Sequence, residues 1–277
     1  MYLKRLEAQR FKSFAQRIAF DLHPGVTAIV GGNGSGRSNV VAAIQWAIGN
    51  LSLRGEEMSN VICEGGASIS VLDCAEVTLT IDNSDQRLSF DADEVVVMRR
   101  LHRTGSAEHA VNGSPCRVRD VRDLFHPTGL GIDGYAILGQ GGVETLIDDD
   151  RRAPSRFDGG DPACILREIL GLPVDSAREI VGMPPRLLSR GEGKALALAC
   201  MMATVRERTA PLAILDEPDT GFDDECADRL LRRLRRGFGE DTQVLITSKR
   251  HSAVSVADAA YQLRWDASGG TRAVRIS

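Results

Sequence analysis

The chain has 277 residues, of which 43% are hydrophobic and 26% charged, so it can bury a sizeable core and is not mainly disordered. A formal net charge of −4 and a pI of about 5.8 exclude a polycation, so any nucleic-acid contact must come from a local patch. No apolar run approaches the roughly 20 residues that span a bilayer, and six scattered cysteines lack zinc-ligand or disulfide spacing; the expectation is a cytoplasmic protein with reduced thiols and no membrane partner.

In chain order, the first half reads as β-rich with one helix. Residues 1–11 alternate as a strand, and two short apolar runs, 17–22 and 26–30, are joined by the turn His23-Pro24-Gly25. Residues 38–48 have helical apolar spacing and stop at Gly49. Strands are predicted at 76–81 and 94–100, with a hairpin around Asn112-Gly113. Residues 148–162, with an Asp-Asp-Asp-Arg-Arg run, two prolines and a glycine pair, read as an exposed connector. Beyond it helix and strand alternate: helices at 194–208 and 224–238, strands at 212–215, 243–247, 261–265 and 271–276. Such alternation predicts a parallel α/β core. No repeat and no sustained heptads occur.

Between an apolar strand and a helix stands Gly31-Gly32-Asn33-Gly34-Ser35-Gly36-Arg37-Ser38, followed by Asn39. This is the setting of a phosphate-binding loop, in which inward backbone N–H groups and a helix N-terminus hold an anion. The Ser38 hydroxyl is placed to ligate Mg²⁺. The position after Gly36 should be Lys and is Arg37, whose planar guanidinium is wider than an amine and prone to pair with a carboxylate. Arginine is favoured throughout: only Lys4, Lys12, Lys194 and Lys249 of the 34 basic residues are lysines. Nucleotide binding is expected to survive this change better than hydrolysis.

The strand 212–215 ends in Asp216-Glu217. Asp216 is expected to hold Mg²⁺ and Glu217 to orient and deprotonate an attacking water. Leu188-Ser189-Arg190-Gly191-Glu192 precedes a helix and reads either as a second anion site, used across a two-fold dimer, or as an ordinary N-cap at Ser189. Gln140, between apolar residues and glycines, is a candidate for the metal and the water.

In this order, the loop, Gln140, the Leu-Ser-x-Gly-Glu element and the acid pair resemble ABC-type ATPases, above all the head domain of SMC (structural maintenance of chromosomes) proteins. Leu3-Lys4-Arg5-Leu6-Glu7, Phe11-Lys12-Ser13-Phe14, Thr128-Gly129-Leu130-Gly131 and Gly139-Gln140-Gly141 extend the likeness over nearly the whole chain. The resemblance implies a two-lobed α/β P-loop NTPase fold, with an antiparallel β-rich part and a parallel-sheet core. It divides the chain into an N-terminal lobe (1–150), a short connector (151–186) where the family carries coiled-coil arms and a hinge, and a C-terminal lobe (187–277).

The resemblance also implies ATP and Mg²⁺ as ligands, engagement of a second head, hydrolysis, chromosome condensation and segregation, and DNA contact through Arg54. Gly31, Asn33, Gly34, Ser35, Gly36, Arg37, Ser38 and Asn39 would bind nucleotide, with Ser189 and Gly191 acting on that of a partner. Ser38, Gln140 and Asp216 would serve Mg²⁺; Glu217, Gln140 and Ser248 would serve catalysis.

Departures stand at Arg37 for Lys, Arg190 for Gly in the signature, and Ser248 for the family's switch His. Two readings follow, a slow ATPase and a non-catalytic nucleotide-gated interaction module. A third, the arm-less ABC-type repair ATPases, fits the opening residues less well.

Overall fold

A computed structural model describes residues 1–50, 60–63, 74–131, 135–139, 162–184, 187–239, 241–266 and 270–277. Alternating sequence in the first half gives an antiparallel sheet. β1 (Tyr2–Gln9), β2 (Ile18–Asp21), β4 (Cys74–Asp82), β5 (Glu94–His102), β6 (Ala107–Val111) and β7 (Ser114–Pro115) lie in the order β2-β1-β4-β5-β6-β7. In β4 the alternation is complete: Ala75, Val77, Leu79 and Ile81 are buried and the residues between them are half-buried. The predicted hairpin is present, with Asn112 and Gly113 both at positive φ (47° and 77°), as a type I′ turn requires.

Continuous apolar runs make the second sheet, because strands covered on both faces need no polar alternation. β3 (Val26–Gly31), β8 (Ile137–Leu138), β9 (Leu212–Asp216), β10 (Gln243–Ser248), β11 (Ala259–Asp266) and β12 (Gly270–Arg275) are ordered β12-β11-β3-β10-β9-β8. All neighbours are parallel except β11 and β12. Strands from both sides of the connector therefore build this one sheet.

Helix α1 (Arg37–Ala47) leaves the end of β3 and touches strands of both sheets. It is buried nearly all round, Trp46 packing 5.3 Å from Phe11 with the Arg99 guanidinium 4.5 Å from its ring. The sequence predicted a single helix in this half; α2 (Val118–Phe125) is a second. It is only two turns long, and its apolar stripe of Val118, Val121, Leu124 and Phe125 is a helical pattern that the sequence reading passed over.

The connector is more than a spacer. Pro162, predicted as exposed linker, is buried as the first residue of α3 (Pro162–Leu170), and α4 (Val174–Gly182) follows. Proline fits there because the first helical turn needs no backbone donor. The apolar face of α3 packs on α5 (Arg190–Glu207) and α6 (Asp224–Gly237). Arg229 donates to Ile169 O (3.2 Å), and Arg233 pairs with Glu168 at 2.9 Å. A short α7 (Ser252–Val256) precedes β11.

Buried side chains join the two sheets, Gln243 among them. Gln243 of β10 accepts from Leu3 N–H at 2.8 Å and donates to Leu3 O and His23 O, each at 3.0 Å. Gln243→Leu leaves those backbone groups without partners and should cost roughly 2–4 kcal/mol in urea unfolding. A loss below about 0.5 kcal/mol would show that the link is dispensable.

Candidate functional site

The loop after β3 and the start of α1 line a cavity of about 330 Å³ with Asn33, Gly34, Ser35, Gly36, Arg37, Ser38 and Asn39; Glu217 and Lys249 complete its wall. Gly36 caps α1 at φ 92°, a conformation that L side chains rarely adopt. A Cβ there would lie 2.5 Å from Ser13 Oγ and 2.9 Å from Thr271 Oγ1. Those two hydroxyls fix the loop from behind. Asn39 donates to Ser13 Oγ (2.8 Å), and Thr271 donates to Ser35 O (3.1 Å).

The acid pair arrives from β9. Asp216 Oδ1 accepts from Thr247 (2.6 Å) and Ser38 (3.2 Å), so the hydroxyl that opens α1 already meets the carboxylate. Burial pushes the Asp216 carboxyl above its ordinary range, against the pull of those hydrogen bonds. Glu217 has φ 50°, an uncommon left-handed conformation for this residue type. Four contacts hold it there. Its N–H donates to Thr247 Oγ1 (2.9 Å), its carbonyl accepts from Lys194 Nζ (2.9 Å) and Thr220 N–H (3.2 Å), and its Oε2 accepts from Thr220 Oγ1 (2.9 Å). Lys194, its ammonium pulled toward neutrality by burial, also donates to Thr220 O at 2.6 Å.

Arg37 turns away from a free phosphate-facing position. Its Nη1 donates to Gly31 O and its Nη2 to Glu217 Oε1, each at 2.7 Å, and both side chains of the ion pair are buried. The tendency of guanidinium to seek a carboxylate, read from the sequence, is what the structure displays. Lys249 Nζ stands 3.3 Å from the other Glu217 oxygen.

Ser248 is fully buried and donates to Asp219 Oδ2 at 2.6 Å, while its Oγ accepts from Arg250 N–H; it does not line the cavity. Arg250 further holds Phe222 O (2.9 Å) and pairs with Asp219 and Asp224. Ser189 is exposed and closes a capping box with Glu192, its Oγ accepting from Glu192 N–H at 3.3 Å and its N–H donating to Glu192 Oε2 at 2.9 Å. The N-cap reading thus describes Ser189 within this chain, and neither it nor Gly191 lines the cavity. Gln140 and Arg54 lie outside the described residues. Ser13, Lys194, Thr247, Lys249 and Thr271 were missed from sequence. The rarity of lysine was the one available signal, since two of four lysines contact Glu217.

The residues present fit a nucleotide with a divalent cation. Ser35 Oγ is buried at the loop without a hydrogen-bond partner among the described residues, and Ser38 with Asp216 offers a hydroxyl and a carboxylate of the kind Mg²⁺ prefers. Among the described residues no group of three or more His, Cys, Asp or Glu side chains that could hold a metal ion occurs, and no helix is long and apolar enough to cross a membrane.

A parallel sheet with a glycine loop at the end of one strand and an acid pair at the end of another defines a P-loop protein of the ABC-type head class. The comparisons agree. A sequence profile of the RecF/RecN/SMC N-terminal domain matches residues 2–271, and the chain belongs to that family. The chromosome partition protein Smc of Bacillus subtilis is 48% identical over 159 residues, covering 55% of this chain and 13% of that protein. The chain therefore spans about an eighth of that relative's length. The SMC head domain from Thermotoga maritima matches over 100% of both chains at 29% identity and a TM-score of 0.73. An SMC head bound to the C-winged helix domain of ScpA matches over 100% of this chain and 98% of that one, at 23% identity and a TM-score of 0.87.

Removing one member of the buried Arg37–Glu217 pair strands the other charge. Arg37→Ala should lose about 3–5 kcal/mol in guanidinium unfolding, and Arg37→Met combined with Glu217→Gln much less. Equal losses in the two variants would mean that the pairing itself contributes little.

Proposed function

We propose that this chain is an SMC-type head that binds Mg·ATP, engages a second head around the bound nucleotide and hydrolyses it slowly, in the service of chromosome condensation and segregation. The observation that carries the reading is the convergence on one cavity of the glycine loop, Ser38 backed by Asp216, and Glu217. Asn33, Gly34, Ser35 and Gly36 would cradle the phosphates with backbone N–H groups, and Ser38 and Asp216 would hold Mg²⁺. When bound, that cation neutralises charge on the β- and γ-phosphates.

Glu217 supplies the general base, held by its backbone contacts with its carboxylate on the cavity wall. Gln140 is assigned to the metal and the water by its motif alone. Ser189, exposed, and Gly191, half-buried, both at the start of α5 and away from the cavity, would serve the nucleotide of the second head. Arg190 presents an exposed guanidinium on that same approach. DNA contact, resting on Arg54 and the arginine content, and a cytoplasmic, nucleoid-associated setting complete the proposal.

A second reading, the non-catalytic nucleotide-gated module, is favoured by one fact. Both Glu217 oxygens are engaged, Oε1 by Arg37 and Oε2 by Thr220 and Lys249, which leaves the base poorly placed to take a proton until a contact opens.

Phosphate release from Mg·ATP, followed alongside solution mass, separates the two. The ATPase reading expects measurable turnover that Glu217→Gln lowers at least 100-fold, with the variant accumulating as an ATP-dependent dimer. ATP-dependent dimerisation without any phosphate release would leave the gated module; no nucleotide response of either kind would sink both.

A further inference from the structure

In a phosphate loop of this kind the residue after the last glycine normally brings a mobile cation to the phosphates. Here that residue is committed elsewhere. The Arg37 guanidinium is 4% exposed and spends its donors on Gly31 O and Glu217. Swinging it toward a phosphate would orphan a buried carbonyl and a buried carboxylate together.

A different cation is better placed. Lys249 follows β10, lines the same cavity, and is 44% exposed, so its 3.3 Å contact with Glu217 Oε2 is partly solvated and inexpensive to exchange. Its ammonium is compact, with three donors on a flexible four-carbon stem, suited to following a phosphate rather than fixing a plane. Lys194, the other lysine at Glu217, is held by two backbone carbonyls and is less free to move.

We propose that Lys249 is the residue that meets the γ-phosphate in this chain, and that Arg37 is a positioning residue that holds Glu217. The inference rests on the nucleotide-binding reading and names the side chain that completes it. It carries a consequence for the base. When Lys249 turns to the phosphate, Glu217 Oε2 loses its ammonium partner and gains capacity to accept a hydrogen bond from water, so nucleotide arrival itself loosens one of the contacts that encumber the base.

The test is titration calorimetry of the whole chain with Mg·ATP and Mg·ADP, thermal melts confirming the fold. Lys249→Ala should weaken ATP about 10- to 100-fold and ADP less than about 3-fold, the scale of one charge-assisted hydrogen bond. Lys249→Arg should restore most of the loss. In an Arg37→Lys background, where the loop again carries an amine, Lys249→Ala should cost ATP less than about 3-fold, a rescue that a merely structural lysine would not give.

Unchanged ATP affinity in Lys249→Ala, an equal loss for ATP and ADP, or no rescue by Arg37→Lys would each overturn the assignment while leaving nucleotide binding intact. Failure of the parent chain to bind either nucleotide would overturn the binding reading and this inference with it.

Discussion

The buried contact between Arg37 and Glu217 is the constraint around which the site is organised. Taking two charges out of water costs several kcal/mol for each ion, and the attraction between them offsets that only when the remaining donors and acceptors are also satisfied. That condition is largely met here. The guanidinium adds Gly31 O, and the carboxylate adds Thr220 and Lys249. The pair therefore ties the phosphate loop to the acidic end of β9.

The sheet brings these two segments together through a strand that belongs to neither. β10 lies between β3 and β9, and its register sets Thr247 opposite both Ile29 and Asp216. The carboxyl ends of the three strands consequently reach the same level, the edge at which open α/β sheets bind ligands. Thr247 then acts locally, one hydroxyl meeting Asp216 Oδ1 and the Glu217 amide. Because α1 is packed between both sheets, the loop it caps is held from below by the core and from behind by Ser13 and Thr271. Displacement of the phosphate cradle would disturb much of the protein.

Much of this was legible in the chain. The alternation of helix and strand after the connector points to the parallel core, and the alternating residues of β4 to a strand, whereas the division into an antiparallel and a parallel sheet comes only with the resemblance. The glycine loop and the Asp216-Glu217 step are local patterns, and their chemistry could be read off their letters. What the letters do not contain is side-chain direction over long separations. Arg37 and Glu217 are 180 residues apart, and Ser13 and Thr271 are 258 apart. The connector misled for a related reason: Pro162 signals a break in sequence, but a proline in the first helical turn is compatible with a helix, and α3 gains its burial from α5 and α6, which lie later in the chain. Ser248 looked like an impaired switch residue, whereas its partner Asp219 is reached only through the fold.

The departures at 37 and 248 form a coherent set when their partners are considered together. Arginine at 37 retains the positive charge but redirects it from ligand to carboxylate. Serine at 248 is too short to reach out of the core, and its hydroxyl instead joins Asp219 and the Arg250 amide, where Arg250 also ties down Phe222 O. The loop 219–223 is thereby anchored to the turn after β10. Between these anchored neighbours stands Lys249, half-exposed and on the cavity wall. A site so built holds Glu217 and the loop 219–223 in hydrogen-bond networks and leaves Lys249 as the exposed charge on the cavity wall. Exchanging the partly solvated Lys249 contact costs little, whereas freeing Glu217 Oε1 means breaking an ion pair buried in the core, so the two rearrangements that the proposed ATPase would need differ sharply in cost.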